Sequence, residues 1–510
     1  VAKIETEKLL AQTVLMELES LAKEGKYKGT FSPQFHSYGY EGRSCLPSDF
    51  DATYCYSLGQ TVGALVSLGC TGLIASVTNL SAPVAQWACG GVPITMMCHT
   101  ERRHGHNKPV IKKALVELDG EPFKCFAAQR ADWAAYDLYR SPGPIQFFGG
   151  GGCVELSLTL SLELNRADPR MAQADLQAAK KVQGAALRLG EFLHQPLTGL
   201  SNRILSNTQQ ERALYKPQLL PAMQNLPQAY AQCEKSSRTQ CMKSWDRPTF
   251  ESGFPVTYGA PLVSFGSPGT ESPAKKSKSE MAPIVAGVVF CGRQSPGGHD
   301  VIAGLFDALP KGSKLMGFVG GTKGLLQGHA VHITAEMLAN YRGQGGFELL
   351  GRSMERIEHR TEVFEAVAAA CRKFSLDGLL LLGGPRTNTD AAYLAEYFKS
   401  QGTSTSVVTV PLTMNGGIRN AFVETTVGFD TTSKVTAQIV GNNSTDGASA
   451  KKYYYFQRLM GQEPSHLTME VALNTCPNYT LLAEEVSQNN TKLADIVSSI
   501  ADMVEARADL

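Results

Sequence analysis

Gly292 and the pair Gly297-Gly298 follow the apolar run IVAGVVF and precede VIAGLFDAL. A glycine-rich turn between a strand and a helix presents backbone N–H groups at a helix N-terminus, where they can hold phosphate oxygens. Taken alone, such a turn is also what tight packing needs in many α/β domains. His104 and His106 form an H-x-H pair that can ligate metal, but no third ligand stands near them in ERRHGHNKP, and a solvated basic loop is the plainer reading. A dinucleotide site is disfavoured, because no G-x-G-x-x-G follows the strand and no acidic residue ends a second strand ~20 positions on.

The elements that must carry these loops alternate. IVAGVVFCG, KLMGFVGG, LDGLLLLGG and VVTVPL are short apolar runs ending in Gly or Pro, separated by helical patterns such as RTEVFEAVAAACRKF and DAAYLAEYFKSQG. Strand–helix alternation implies right-handed crossovers and a doubly wound, mainly parallel α/β sheet, with ligands at the carboxyl ends of its strands. Upstream, residues 3–24 carry Leu9, Leu10, Val14, Leu15, Leu18 and Leu21 at helical spacing; TYCYSLGQTVGALVSLG reads as a buried helix and TGLIASV as a strand. Tyr453-Tyr454-Tyr455-Phe456 reads as core packing on a helix.

Three regions are expected. Residues 1–148 close on the stop SPGPIQF. Residues 149–282 form a linker with a GGGG joint, an amphipathic helix over 156–193 and the exposed stretch SPGTESPAKKSKSE, whose KKSK is a linker charge run. Residues 283–510 form the doubly wound unit.

The 510 residues suffice for two or three domains, and 43% hydrophobic against 19% charged residues allows a sizeable core. Lys plus Arg number 48 and Asp plus Glu 47, so no basic excess exists to track nucleic acid. The 12 Cys are scattered without C-x-x-C pairs and read as reduced thiols, which points to the cytoplasm. No run approaches ~18 apolar residues, so no membrane span is expected. The start VAKIETEKLL lacks an initiator Met and suggests part of a longer chain.

In order, VVFCGRQSPGGHDVIAGL, GFVGGTKGLLQGHAVHIT, LDGLLLLGGPRTNTDAAYLAEYF, VPLTMNGGIRNAFVETTVGFDTTSKV and ASAKKYYYFQRLMGQEPSHLTMEVAL resemble the pyrophosphate-dependent phosphofructokinases of the long, plant-type branch, from about residue 287 to 510. Residues 1–148, with GYEGR, LPSDFDATYCYSLG, ERRHG, KPVIKKALVELDGEPF and SPGPIQF, resemble the carboxyl-terminal half of the same family, so the halves stand in inverted order. A fragment of a tandem double-length protein accounts for this most simply, with two partial units of the phosphofructokinase fold; circular permutation is the alternative.

The resemblance implies magnesium-assisted transfer of phosphate from pyrophosphate to fructose 6-phosphate in glycolysis, by units that assemble as homo- or hetero-oligomers. It places Gly292 against pyrophosphate. It places fructose 6-phosphate against Tyr40, Glu41, Gly42 and Arg43, which match without departure, and against Thr413, Met460 and Gly461. Lys452 and Tyr453 match a pair that reaches substrate across a subunit interface, and Gln462 replaces an arginine.

The departures fall on charged positions. The loop usually read Gly-Gly-Asp-Asp-Ser-Asn-Thr-Asp is Gly383-Gly384-Pro385-Arg386-Thr387-Asn388-Thr389-Asp390, so Pro385 stands at the metal-holding carboxylate. The loop usually read Pro-Lys-Thr-Ile-Asp-Gly-Asp is Pro411-Leu412-Thr413-Met414-Asn415-Gly416-Gly417, so Asn415 stands at the proton acceptor and Leu412 at a lysine. An amide cannot accept a proton at neutral pH. Asp390 lies in the helix-starting part of its loop, where packing is its default role. The pattern resembles the regulatory, alpha-type subunits of the plant enzyme, and TQQERALYKPQLLP and FPVTYGAPLVSF resemble the amino-terminal extension of that type, so residues 149–282 are expected as linker and amino-terminal extension. The expectation is a phosphotransferase parent with a regulatory, catalytically silent second unit, or alternatively a non-catalytic sensor of sugar phosphate or nucleotide.

Overall fold

The structure is a computed structural model that describes residues 4–103, 105–145, 156–164, 205–217, 220, 230–234, 247–266, 282–461 and 464–508. The GGGG joint, His104, Gln462, SPGTESPAKKSKSE and most of the helix expected over 156–193 lie outside them. Of that helix, Leu158–Leu164 is described and helical.

The strands are β1 (Pro33–Ser37), β2 (Leu73–Thr78), β3 (Ala88–Pro93), β4 (Cys98–Arg103), β5 (His106–Ile111), β6 (Tyr230–Glu234), β7 (Leu262–Gly266), β8 (Val285–Phe290), β9 (Lys314–Phe318), β10 (Ala330–Ile333), β11 (Gly378–Gly383), β12 (Ser406–Pro411) and β13 (Tyr454–Arg458). Nine of them form one sheet in the order β10-β9-β8-β11-β12-β2-β3-β7-β6. From β9 to β2 the neighbours run parallel; the flanks are antiparallel. β11 and β12 are buried at every position. Their continuous apolar runs follow from cover on both faces: Leu380 and Leu382 enter one core with Val408 and Val410, and Leu379 and Leu381 enter the other with Val407.

The segments 1–148 and 283–510 share this sheet. Val408 pairs with Leu73 and Thr409 with Ile74, joining β12 to β2. The helices Asp49–Ser67 and Gly298–Ala308 cross with their backbones in contact. A Cβ on Gly59 would lie 2.1 Å from the Val301 carbonyl oxygen, and one on Gly304 2.0 Å from that of Tyr56. Only glycine permits that approach, and Leu58, Val62, Leu65, Val301 and Leu305 close the core around it. Within 149–282, expected as linker and amino-terminal extension, the described residues supply the last two strands of the sheet, β7 and the edge strand β6, while Phe250 and Phe254 lie in the second core.

Two local expectations are corrected. Tyr454 and Phe456 lie in strand β13, not a helix, parallel to β1. Both rings pack around Phe31, while Tyr455 stacks near His36, a period of two that an unbroken aromatic run conceals. The basic stretch around ERRHGHNKP is not a loop but the antiparallel pair β4–β5, with Arg103 opposite His106. Charges exposed at the tip hid its strand character.

Candidate functional site

The loops after β8, β11 and β12 lie side by side at the carboxyl ends of these central parallel strands. The Cys291 N–H donates to the Leu382 carbonyl (2.8 Å) and the Leu412 N–H to the Gly383 carbonyl (3.0 Å). Backbone hydrogen bonds therefore set the spacing of all three loops whatever side chains they carry.

In the first loop Gly292 has φ +82°, a left-handed conformation that costs glycine nothing. Arg293 is exposed beyond it. The Gln294 amide donates to Ser44 Oγ (3.1 Å), and Ser295 Oγ donates to the Val427 carbonyl (2.9 Å). The loop thus touches both the 40–44 segment and the chain beyond the third loop. Cys291, beneath it, is buried, and burial pushes its thiol up to about 12.

In the second loop Gly384 caps the helix Pro385–Ser400, and Pro385 occupies a first-turn position where its missing N–H costs nothing. Asn388 Nδ2 donates to the Gly383 and Gly384 carbonyls (2.8 and 2.9 Å), fixing the turn. Asp390 is held by Arg356 Nη2 (2.8 Å) and His359 Nε2 (3.1 Å), so its carboxylate ties the helix to residues 356–359. Magnesium takes oxygen ligands, including one or two protein carboxylates. Pro385 and Arg386 offer none, so the residues of this loop do not fit the metal. Among the described residues no group of three or more His, Cys, Asp or Glu is placed to hold a metal ion.

In the third loop Leu412 and Met414 are buried, at 4% and 7% exposure, and the position of the expected lysine therefore presents a hydrocarbon to the core. The Asn415 N–H donates to Thr413 Oγ1 (3.2 Å). Gly461 abuts the Asn415 amide: a Cβ there would lie 3.6 Å from Nδ2. His466 packs behind Gly416, and burial holds its imidazole down at about 4, a neutral ring. A cavity of about 340 Å³ lined by Val116, Glu117, Glu163, His466 and Met469 includes none of the expected site residues.

Tyr40–Arg43 forms one helical turn. The Arg43 guanidinium lies 4.5 Å from the Tyr40 ring centroid, and Glu41 Oε2 accepts from the Gly39 N–H (2.8 Å). Gly42 sits against Thr432, whose hydroxyl donates to its carbonyl (3.1 Å), and Gly39 lies against Met460. The structure thus gathers Tyr40–Arg43, Gly292, Thr413, Asn415, Met460 and Gly461 into one loop cluster, drawn from both ends of the chain. Lys452 and Tyr453 stand apart, at the far end of β13, a five-residue strand about 17 Å long.

Sequence reasoning missed the clasp beneath this cluster. Asp51 accepts from the N–H groups of Gly428 (3.1 Å) and Thr431 (2.9 Å) and from the Thr431 hydroxyl, while Ser48 Oγ donates to Asp430 (2.7 Å). Two helix N-termini, of Asp49–Ser67 and Phe429–Ala450, therefore cap each other. Burial, then the neighbouring Asp430, pushes the Asp51 carboxyl up to about 6 against the lowering effect of its Thr431 and Gly428 donors. Burial likewise pushes nearby Asp300 up to about 8. Ser48 three residues before Asp51 is a capping signal that could have revealed the start of the first helix.

The arrangement is a largely parallel α/β sheet whose glycine-bearing loops converge on a short Tyr-Glu-Gly-Arg turn. Residues 285–508 match the family model described as Phosphofructokinase. The chain is 44% identical over 309 residues to pyrophosphate–fructose 6-phosphate 1-phosphotransferase subunit alpha 1 of Arabidopsis thaliana, covering 60% of this chain and 50% of that protein. It is 39% identical over 309 residues to the Treponema pallidum (strain Nichols) pyrophosphate–fructose 6-phosphate 1-phosphotransferase, covering 60% and 53%. It is also 58% identical over 164 residues to subunit beta 1 of the Arabidopsis thaliana protein, covering 32% and 29%. The chain spans about half the length of the curated relatives it matches over 309 residues. No helix of the described residues is long and apolar enough to cross a membrane.

Proposed function

We propose that this chain is a regulatory member of a cytoplasmic, pyrophosphate-dependent phosphofructokinase assembly, binding fructose 6-phosphate and a pyrophosphate-class anion with little or no transfer between them. Transfer of a phosphoryl group is positioning plus charge neutralisation, and it needs a proton acceptor at the attacking hydroxyl and cations on the moving group. One observation carries the reading: Asn415 and the buried Leu412 stand where acceptor and cation belong, while Tyr40–Arg43 remains assembled beside them. In this reading Arg43 grips the 6-phosphate, Met460 and Gly461 line the sugar, and Lys452 and Tyr453 serve the site of a neighbouring subunit, homologous or of beta type.

Calorimetry with fructose 6-phosphate, paired with a coupled assay for fructose 1,6-bisphosphate, tests it. The expected result is saturable binding without turnover. Turnover that Asn415→Ala abolishes overturns the silent assignment, and absence of binding overturns the sugar-phosphate assignment. A pure assembly role would then remain.

A further inference from the structure

We propose that the donor end of this loop cluster takes a pyrophosphate-class anion without a divalent cation, with the Arg386 guanidinium supplying the charge that a metal would bring. The inference rests on the proposed function for the location of the donor end. A doubly charged cation held by one carboxylate presents one net positive charge to a phosphate; a guanidinium presents the same charge directly, with forked N–H donors. Pro385 removes the carboxylate and Arg386 introduces the guanidinium in adjacent positions, so the local charge survives although the metal ligand does not.

Arg386 has no hydrogen bond or ion pair among the described residues, and it lies in the first turn of the helix Pro385–Ser400. A cation there faces the positive end of the helix dipole, an unfavourable place that an anion bound between them would offset. Other cations flank the adjacent loops. Arg293 follows Gly292 and is exposed, Arg352 reaches the Gly292 carbonyl (3.5 Å), and Lys323 lies in the first turn of the helix Thr322–Gln327 that follows β9. The acids near them are engaged or outward: Asp390 is held by Arg356 and His359, and Glu355 is fully exposed beside Lys323. Among these described residues the cations outnumber the acids, and the position expected to hold the metal carries Pro385 instead of a carboxylate.

The test is titration calorimetry of the full chain with inorganic pyrophosphate, in EDTA and again in magnesium chloride. Wild type is expected to bind in EDTA with a Kd within about threefold of that in magnesium. Arg386→Ala, at an exposed position and with its folding checked by its melting curve, weakens binding in EDTA by about tenfold or more. Arg386→Asp abolishes binding in EDTA and recovers it with magnesium. Wild-type binding that requires magnesium, or that Arg386→Ala leaves unchanged, overturns this inference alone. No binding in either condition overturns the donor-end reading on which it stands.

Discussion

The Tyr40–Arg43 turn and the 383–417 loops meet in one cluster, yet they differ in what they have kept. The turn retains its charged and aromatic side chains, and Arg43 stays poised over Tyr40. In the loops the backbone frame is held by Cys291, Leu412 and Asn388, while Pro385, Leu412 and Asn415 carry no charge at the positions expected for metal ligand, cation and proton acceptor. Positioning and charge are separable here because main-chain hydrogen bonds do the positioning. A loop can lose its chemistry without losing its shape.

The sharpest way to break the contrast is to supply the missing charges. Placing Asp at positions 385, 415 and 417 and Lys at 412 should raise phosphoryl transfer by about 10³-fold or more, as a restored acid–base group alone contributes 10²–10⁴-fold, measured in the coupled assay. Disrupting the frame instead should cost stability. Gly304→Val drives a side chain into the Tyr56 carbonyl and is expected to destabilise the chain by about 3 kcal/mol in urea unfolding, since the helix contact cannot open locally. On the retained side, Arg43→Ala should weaken fructose 6-phosphate binding by about tenfold to a hundredfold in calorimetry, with the melting temperature unchanged.

The smallest effect concerns the clasp. Asp51 and Asp300 have carboxyls raised above their unfolded values near 3.8. A raised carboxyl favours the folded state most at low pH and loses that contribution as pH rises through its folded value. The melting temperature should therefore fall as pH rises from about 4 to about 8, through about 6 for Asp51 and about 8 for Asp300. Asp300→Asn, which keeps the acceptor for the Gly343 N–H, should flatten the upper part of that curve. A curve unaffected by Asp300→Asn would remove Asp300 from the account.

The parallel core was legible in the amino-acid order because strands buried on both faces cannot avoid continuous apolar runs, as LLLLG in β11 demonstrates. The β4–β5 hairpin was not, since its solvated tip lacks an apolar period. Nor could local pattern show that residues 1–148 and 283–510 share one sheet. Two residue pairs join β12 to β2, and strand partners far apart in sequence leave no periodic trace. The site's residue types were readable one by one; the Gln294–Ser44 contact that binds its two contributors together is a property of the folded chain.

That meeting of the two contributors is the central claim, and the rate of phosphoryl transfer by the four-position restored chain, with and without Arg43→Ala, tests it most directly. One shared cluster predicts transfer that Arg43→Ala reduces by at least about tenfold. Transfer indifferent to Arg43 would contradict it, for the sugar phosphate would then be gripped elsewhere.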